Sequence, residues 1–295
     1  MKISLIWHKN MIHINGETKI VGLLGWTVKH SLNPIMQNAA FQHLKLNWAY
    51  IPLPTAPESI KNGVRSLQTF NFIGANVIAP HQQAIMRYLD EISPLAQSIG
   101  VVNTIVIRDG IVYGYNTERY GFLQTLADSQ FNLEGSRCLV LGAGGAARSV
   151  VFSLASSGAK TISVYNRTIE HAAFLVDDLQ STFSHVQFSF NPLTAKRLID
   201  IKDTVDLIVN TTPLGMSPDV DSSPWPEDIS LGKAMVCDLV YNPLQTRFLR
   251  QAQAEGLKTI DGVGMVVHQG AKAYEIWTGQ SPPTDLMRMA VLAKL

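Results

Sequence analysis

Cys138-Leu139-Val140-Leu141-Gly142-Ala143-Gly144-Gly145-Ala146-Ala147-Arg148 decides the architecture of half this chain. The apolar run reads as a buried strand, and the glycines after it read as a tight turn into a helix. Gly142 permits the turn, and Gly144 lets backbone amides approach a pyrophosphate. Ala147, in the third glycine position, allows helix and sheet to pack closely. Free N–H donors and the positive dipole end of that helix, at Ala143, Gly145 and Ala146, suit such an anion. About twenty residues on, at the end of the next strand, stands Tyr165-Asn166-Arg167-Thr168, where a dinucleotide's ribose is read. No acidic side chain is there for a 2′-hydroxyl. Arg167 offers a planar guanidinium for a 2′-phosphate and Thr168 a hydroxyl donor, so the expected cofactor is NADP.

Outward from this unit, short β-rich runs alternate with helical patterns, the signature of α/β architecture with mainly parallel strands. Strands are expected at Ile20–Leu24, Trp48–Pro52, Gly74–Ile78, Thr104–Arg108 and Ile111–Tyr115 in the first part. Asp109-Gly110 joins the last two as an edge hairpin. Beyond Cys138–Leu141, strands follow at Ile162–Tyr165, Val186–Phe190, Leu207–Asn210, Met235–Leu239 and Thr259–Asp261, and Ser217–Glu227 reads as a surface loop. The expected division is a substrate domain over 1–120, a Rossmann-type NADP domain over 121–262, and C-terminal helices over 263–295 that pack back on the first domain. A cleft between the two domains would hold the site.

At 295 residues two domains are the default. Charged residues make up 16%, below the roughly 25% of typical domains. With 24 basic and 23 acidic side chains, nothing points to nucleic acid or an anionic membrane. MKISLIWHKN lacks the apolar core of a signal peptide, and no stretch approaches a membrane span. Cys138 and Cys237 read as packed, reduced thiols of a cytoplasmic protein, and no Cys/His cluster has metal-site spacing.

Several motifs in order resemble the shikimate dehydrogenase family over roughly residues 18 to 280. Asn166-Arg167-Thr168 matches the triplet that family uses for the 2′-phosphate. Asn210-Thr211-Thr212-Pro213-Leu214-Gly215-Met216 is similar to its Asn-Ala-Thr-x-x-Gly-Met segment beside the nicotinamide ribose. Asp238-Leu239-Val240-Tyr241-Asn242-Pro243 and Gly262-Val263-Gly264-Met265 resemble its strand end and its glycine loop beside the nicotinamide. The resemblance therefore assigns Thr211, Met216, Leu239 and Gly262 to the cofactor. It implies interconversion of 3-dehydroshikimate and shikimate, a step toward chorismate and the aromatic amino acids, in a monomer or homodimer.

In the substrate half the match is selective. His30-Ser31-Leu32-Asn33-Pro34 resembles the family's His-Ser-x-Ser-Pro, so Ser31 keeps a carboxylate-binding role and Asn33 replaces the second serine. Asn103, Tyr241 and Gln269 match family substrate contacts. Gly74-Ala75-Asn76-Val77-Ile78-Ala79-Pro80-His81-Gln82 carries Ile78 where the family has threonine, and Gln82 where it has the catalytic lysine. A substrate hydroxyl left unpaired at Ile78 would cost about 1–3 kcal/mol. Gln82 neither titrates nor bears charge; losing a general acid–base group typically costs about 10²–10⁴ in rate. In Gly114-Tyr115-Asn116-Thr117-Glu118 the family's aspartate is replaced by Glu118, one methylene longer.

Three readings follow. The chain is a shikimate dehydrogenase-like enzyme with weak or altered activity, an NADP-dependent reductase of a different cyclic carboxylate, or an NADP-binding pseudoenzyme. Substitute bases are few. His81, Lys29, His268 and Lys272 read mainly as packing or surface residues, and His30 as a maker of structural hydrogen bonds.

Overall fold

The computed structural model describes residues 14–295, so the reading of MKISLIWHKN lies outside the described residues. Along the chain run β1 (Lys19–Gly25), α1 (Asn33–His43), β2 (Trp48–Pro54), α2 (Ile60–Thr69), β3 (Gly74–Val77), α3 (His81–Ala84), β4 (Glu91–Ile92), α4 (Pro94–Ile99), β5 (Thr104–Arg108) and β6 (Ile111–Tyr115). Then follow α5 (Glu118–Asp128), β7 (Arg137–Leu141), α6 (Gly145–Ser156), β8 (Thr161–Asn166), α7 (Ile169–Gln180), β9 (Gln187–Pro192), α8 (Ala195–Ile201) and β10 (Leu207–Asn210). The chain ends with β11 (Met235–Asp238), α9 (Arg247–Ala254), β12 (Thr259–Ile260), α10 (Val263–Thr278) and α11 (Thr284–Leu292). None of the described helices is long and apolar enough to cross a membrane.

Two compact units emerge. The first comprises residues up to Ser98, Val102–Thr117 and Gly270–Lys294; the second comprises Ile99–Val101 and Glu118–Gln269. The first unit's sheet has the order β2-β1-β3-β5-β6-β4. β1 lies parallel to β2 and β3, while β5 runs antiparallel to both β3 and β6. Asp109 and Gly110 both take positive φ, 52° and 79°, as a two-residue hairpin turn of matching twist requires. The hairpin is not at the edge as expected. The two-residue β4 pairs parallel with β6 and takes that place. So short a strand leaves no periodicity to read.

The core of this sheet gathers Leu24, Val64, Phe72, Val77, Ile85 and Ile105. The C-terminal helices pack back on this unit. Phe41 of α1 stacks on Tyr274 of α10 at 5.4 Å, Gln37 Nε2 donates to Gly270 O at 2.8 Å, and Trp277 Nε1 donates to Ile105 O at 2.9 Å.

The second unit's sheet, β12-β11-β10-β7-β8-β9, is parallel throughout. Chain order reverses at β7, between β8 and β10. That is the switch point at whose carboxyl end open α/β sheets bind ligands. Cys138 and Cys237 are buried free thiols. Burial pushes the Cys138 thiol up to about 12 and raises Cys237 as well, which keeps both from being reactive thiolates. Ser217–Glu227 is largely irregular, yet it is anchored rather than purely superficial: Trp225 is fully buried, and its Nε1 donates to Ile229 O at 2.8 Å.

One buried polar network ties the first unit's strands together. Asn38 exchanges hydrogen bonds with the Tyr50 backbone, and Tyr50 Oη donates to Asn76 Oδ1 at 2.9 Å. Asn76 Nδ2 donates to Asn103 O and Thr104 Oγ1 at 3.2 and 3.1 Å. A buried polar group stripped of its partners costs about 1–3 kcal/mol. Asn76→Ala is therefore expected to lower the thermal unfolding midpoint by several degrees; an unchanged midpoint would show that the network contributes nothing.

Candidate active site

The glycine turn sits where the sheet demands it. β7 ends at Leu141, and Gly142 turns at φ +113° with its N–H on Tyr165 O at 2.8 Å. A Cβ at Gly142 would lie 2.4 Å from Thr211 Oγ1, so only glycine fits. Thr211 is held there by two bonds to Leu141 O, from its N at 2.9 Å and its Oγ1 at 2.7 Å. At Gly144 a Cβ would meet no protein atom within 4 Å; the space above this turn is open. Ala143, Gly145 and Ala146 line the same turn, partly exposed, while Ala147 is buried against the sheet. The first helical bond of α6 runs from Arg148 N to Gly144 O, leaving the N–H groups before it without helical acceptors. Open space beside free donors fits a dinucleotide pyrophosphate.

At the end of β8, Asn166 Nδ2 donates to Thr168 O at 2.8 Å and fixes the turn. Thr168 precedes α7 without capping it through its side chain, and Arg167 is exposed.

The third wall is organised by Asp238. This buried carboxylate accepts from Thr246 Oγ1 at 2.7 Å, Asn210 Nδ2 at 2.9 Å and Val240 N at 3.0 Å. Burial outweighs those bonds and pushes its carboxyl up to about 6. Asn210 Oδ1 in turn accepts from Thr212 N and Oγ1, which sets the loop that presents the exposed Met216. Leu239 N bonds to Asn210 O, and a Cβ on Gly262 would come within 2.3 Å of Leu239 O.

Glu118 is the first residue of α5 and is 6% exposed. Its Oε2 accepts from Ser149 Oγ of α6 at 2.7 Å. One turn along α5, Gly121 lets the backbone of Gln269 approach; a Cβ there would be 2.9 Å from Gln269 N. Helix α5 thus meets Ser149 at Glu118 and Gln269 at Gly121. Tyr241, just past β11, is half-buried in the same unit.

The remaining candidates lie in the first unit. Ser31 Oγ accepts from Asn33 N at 3.3 Å at the start of α1. Asn33 is 7% exposed, and its Oδ1 is buried without a partner. Oxygen and nitrogen of an amide are interchangeable by a 180° flip, so Asn33 has an uncommitted polar end to offer a ligand. Ile78 follows β3 and lies over Gly25, whose added Cβ would clash with the Ile78 side chain. Gln82 in α3 is 7% exposed, and its carbonyl accepts from Val102 N at 3.0 Å. Asn103 is committed to Thr117: its Oδ1 accepts from Thr117 N at 2.8 Å, and its Nδ2 donates to Thr117 Oγ1 at 3.0 Å. Structurally it fixes the residue that precedes Glu118.

The substitute bases are otherwise engaged. His81 Nε2 bonds to Thr55 O at 2.7 Å, His268 pairs with Asp128 at 2.8 Å, and Lys272 pairs with Glu275 at 2.8 Å. Lys29 and His30 are exposed. Sequence reasoning missed Ser149. The signal was Ser149, Ser153 and Ser156 at i, i+4 and i+7 on one face of α6.

Three family descriptions match in succession: a shikimate dehydrogenase substrate binding domain over residues 23–105, shikimate/quinate 5-dehydrogenase over 125–211, and a shikimate 5'-dehydrogenase C-terminal domain over 262–292. A shikimate dehydrogenase (NADP(+)) of Desulforamulus reducens is 46% identical over 280 residues, covering 93% of this chain and 95% of its own. The Thermus thermophilus shikimate 5-dehydrogenase solved with NADP(H) and shikimate superposes with a TM-score of 0.82 at 36% identity, over 94% of this chain and 100% of the other. The Listeria monocytogenes enzyme, solved with shikimate and NAD, reaches 0.85 at 32% identity, over 95% and 99%.

The open space at Gly144 generates a prediction. Gly144→Ala is expected to fold with an unchanged unfolding midpoint and to bind the dinucleotide at least about tenfold more weakly, about 1.4 kcal/mol. Equal affinity would place the pyrophosphate elsewhere.

Proposed function

The chain belongs to the shikimate dehydrogenase family and is an NADP-dependent oxidoreductase; on that premise we propose that it interconverts 3-dehydroshikimate and shikimate slowly, because its proton-handling pair is Gln82 and Glu118. One observation carries this: a neutral, nearly buried amide stands at the position the family gives to lysine. NADP(H), when bound, supplies or accepts the hydride. The residues must bind, orient and handle the accompanying proton.

Ser31 and Asn33 hold the substrate carboxylate, Asn33 through the polar end the fold leaves uncommitted. Asn103, Tyr241 and Gln269 contact the ring hydroxyls, and Ile78 presents hydrocarbon where a hydroxyl would pair. Gly142–Ala146 receive the pyrophosphate, Asn166, Arg167 and Thr168 the 2′-phosphate, and Thr211, Met216, Leu239 and Gly262 the nicotinamide end. Glu118 is the remaining titratable group of the pair, and Gln82 can hydrogen-bond to the reacting oxygen without giving up a proton. The two buried, unbridged thiols support a reducing, cytoplasmic setting.

Against a turnover near 10 s⁻¹ for a typical enzyme, the missing acid–base group sets the expected rate about 10²–10⁴-fold lower. The test is NADP-coupled oxidation of shikimate by the unmodified protein. Slow turnover with NADP preferred over NAD is expected, and about 10 s⁻¹ would overturn the reading.

A further inference from the structure

Helix α6 begins at the pyrophosphate turn and carries, four residues after Gly145, a buried serine aimed at a carboxylate. Ser149 is completely buried, and its Oγ donates to Glu118 Oε2 at 2.7 Å. Its own carbonyl accepts from Ser153 Oγ at 2.5 Å, and Ser156 Oγ accepts from Arg119 Nε and Nη2 at 3.3 Å. The serine face of α6 therefore grips the first two residues of α5. An alanine at 149 would leave no hydroxyl to satisfy; the buried Ser149 hydroxyl requires a partner, and Glu118 of α5 provides it, whereas the Ser153 hydroxyl is satisfied within α6. Neither the family matches nor the motifs assign Ser149 a role.

We propose that Ser149 is a positioning residue for the reaction, holding the longer Glu118 carboxylate in one orientation through the helix that also cradles the cofactor. This rests on the proposed role of Glu118. Glutamate has one more rotatable bond than aspartate, so its carboxylate needs an anchor that the shorter side chain does not. A bond from hydroxyl to carboxylate is directional, and a four-residue rise along α6, about 6 Å, separates that anchor from the turn receiving the pyrophosphate. Orientation matters because misplacement of about 1 Å can cost on the order of 100-fold in rate.

The test follows the ¹³Cδ resonance of Glu118 in the full chain, assigned by its loss in Glu118→Gln, together with single-turnover shikimate oxidation. Ser149→Ala is expected to shift that resonance and slow turnover about tenfold or more, with NADP affinity unchanged; Ser149→Thr, which keeps the hydroxyl, restores both. A Glu118 resonance unmoved by Ser149→Ala overturns the proposal. So does a Thr variant that behaves like Ala, which would mark a packing role. If the resonance shifts but Glu118→Gln leaves turnover intact, Glu118 is not catalytic, and the functional reading falls together with the positioning role. If Glu118→Gln abolishes turnover but Ser149→Ala does not slow it, the functional reading stands and only this inference fails.

Discussion

At the carboxyl ends of β7, β10 and β11, chain segments meet at distances that exclude a side chain. Thr211 Oγ1 would sit 2.4 Å from a Cβ on Gly142, and Leu239 O 2.3 Å from one on Gly262. The rest of the second unit is arranged to sustain these contacts. Thr211 is doubly bonded to Leu141 O, and Asp238 collects three donors, one of them from Asn210, which shapes the loop ending at Met216. Holding Asp238 buried raises its carboxyl to about 6, a cost accepted in return for a fixed loop. The dinucleotide site proposed there would depend on backbone approach more than on particular side chains.

The first unit presents the opposite case. Its frame is equally well held, by Asn76 bridging Tyr50 to the Asn103–Thr104 segment and by Asn103 clasping Thr117. Yet Asn33, Ile78 and Gln82, proposed to face the substrate, differ from the residues of the family motif, whereas Ser31 and Asn103 match it. The magnitudes rank those changes. An unpaired hydroxyl at Ile78 is an effect of about 1–3 kcal/mol, and Asn33 retains a usable polar end. On the proposed reading, a neutral amide at Gln82 in place of an acid–base group corresponds to about 3–5 kcal/mol of barrier and outweighs both. Glu118 keeps a carboxyl group and, through Ser149, an anchor.

Much of this was legible in the sequence because it is written in local patterns. The glycine turn at Gly142, the hairpin at Asp109-Gly110 and the strand of Leu207–Asn210 are each set by residues within a few positions. What escaped is set by partners distant along the chain. Glu91–Ile92 is a strand only because β6 is beside it. Trp225 looked like part of a surface loop, and only the fold shows the pocket that buries it. Ser149 reads as an ordinary helix residue until Glu118, thirty-one positions earlier, is placed against it. Asn103 bonds to Thr117, fourteen positions further on, a pairing that its own motif does not announce.

An intact cofactor frame around a centre short of one proton-transferring group is the proposed reading. Its most direct test is the turnover number for NADP-coupled shikimate oxidation in Gln82→Lys, measured beside the unmodified chain with NADP affinity as control. A rise of about 10²–10⁴-fold at unchanged NADP affinity is the expected result. No rise while NADP still binds would contradict the claim that the lysine position limits the reaction.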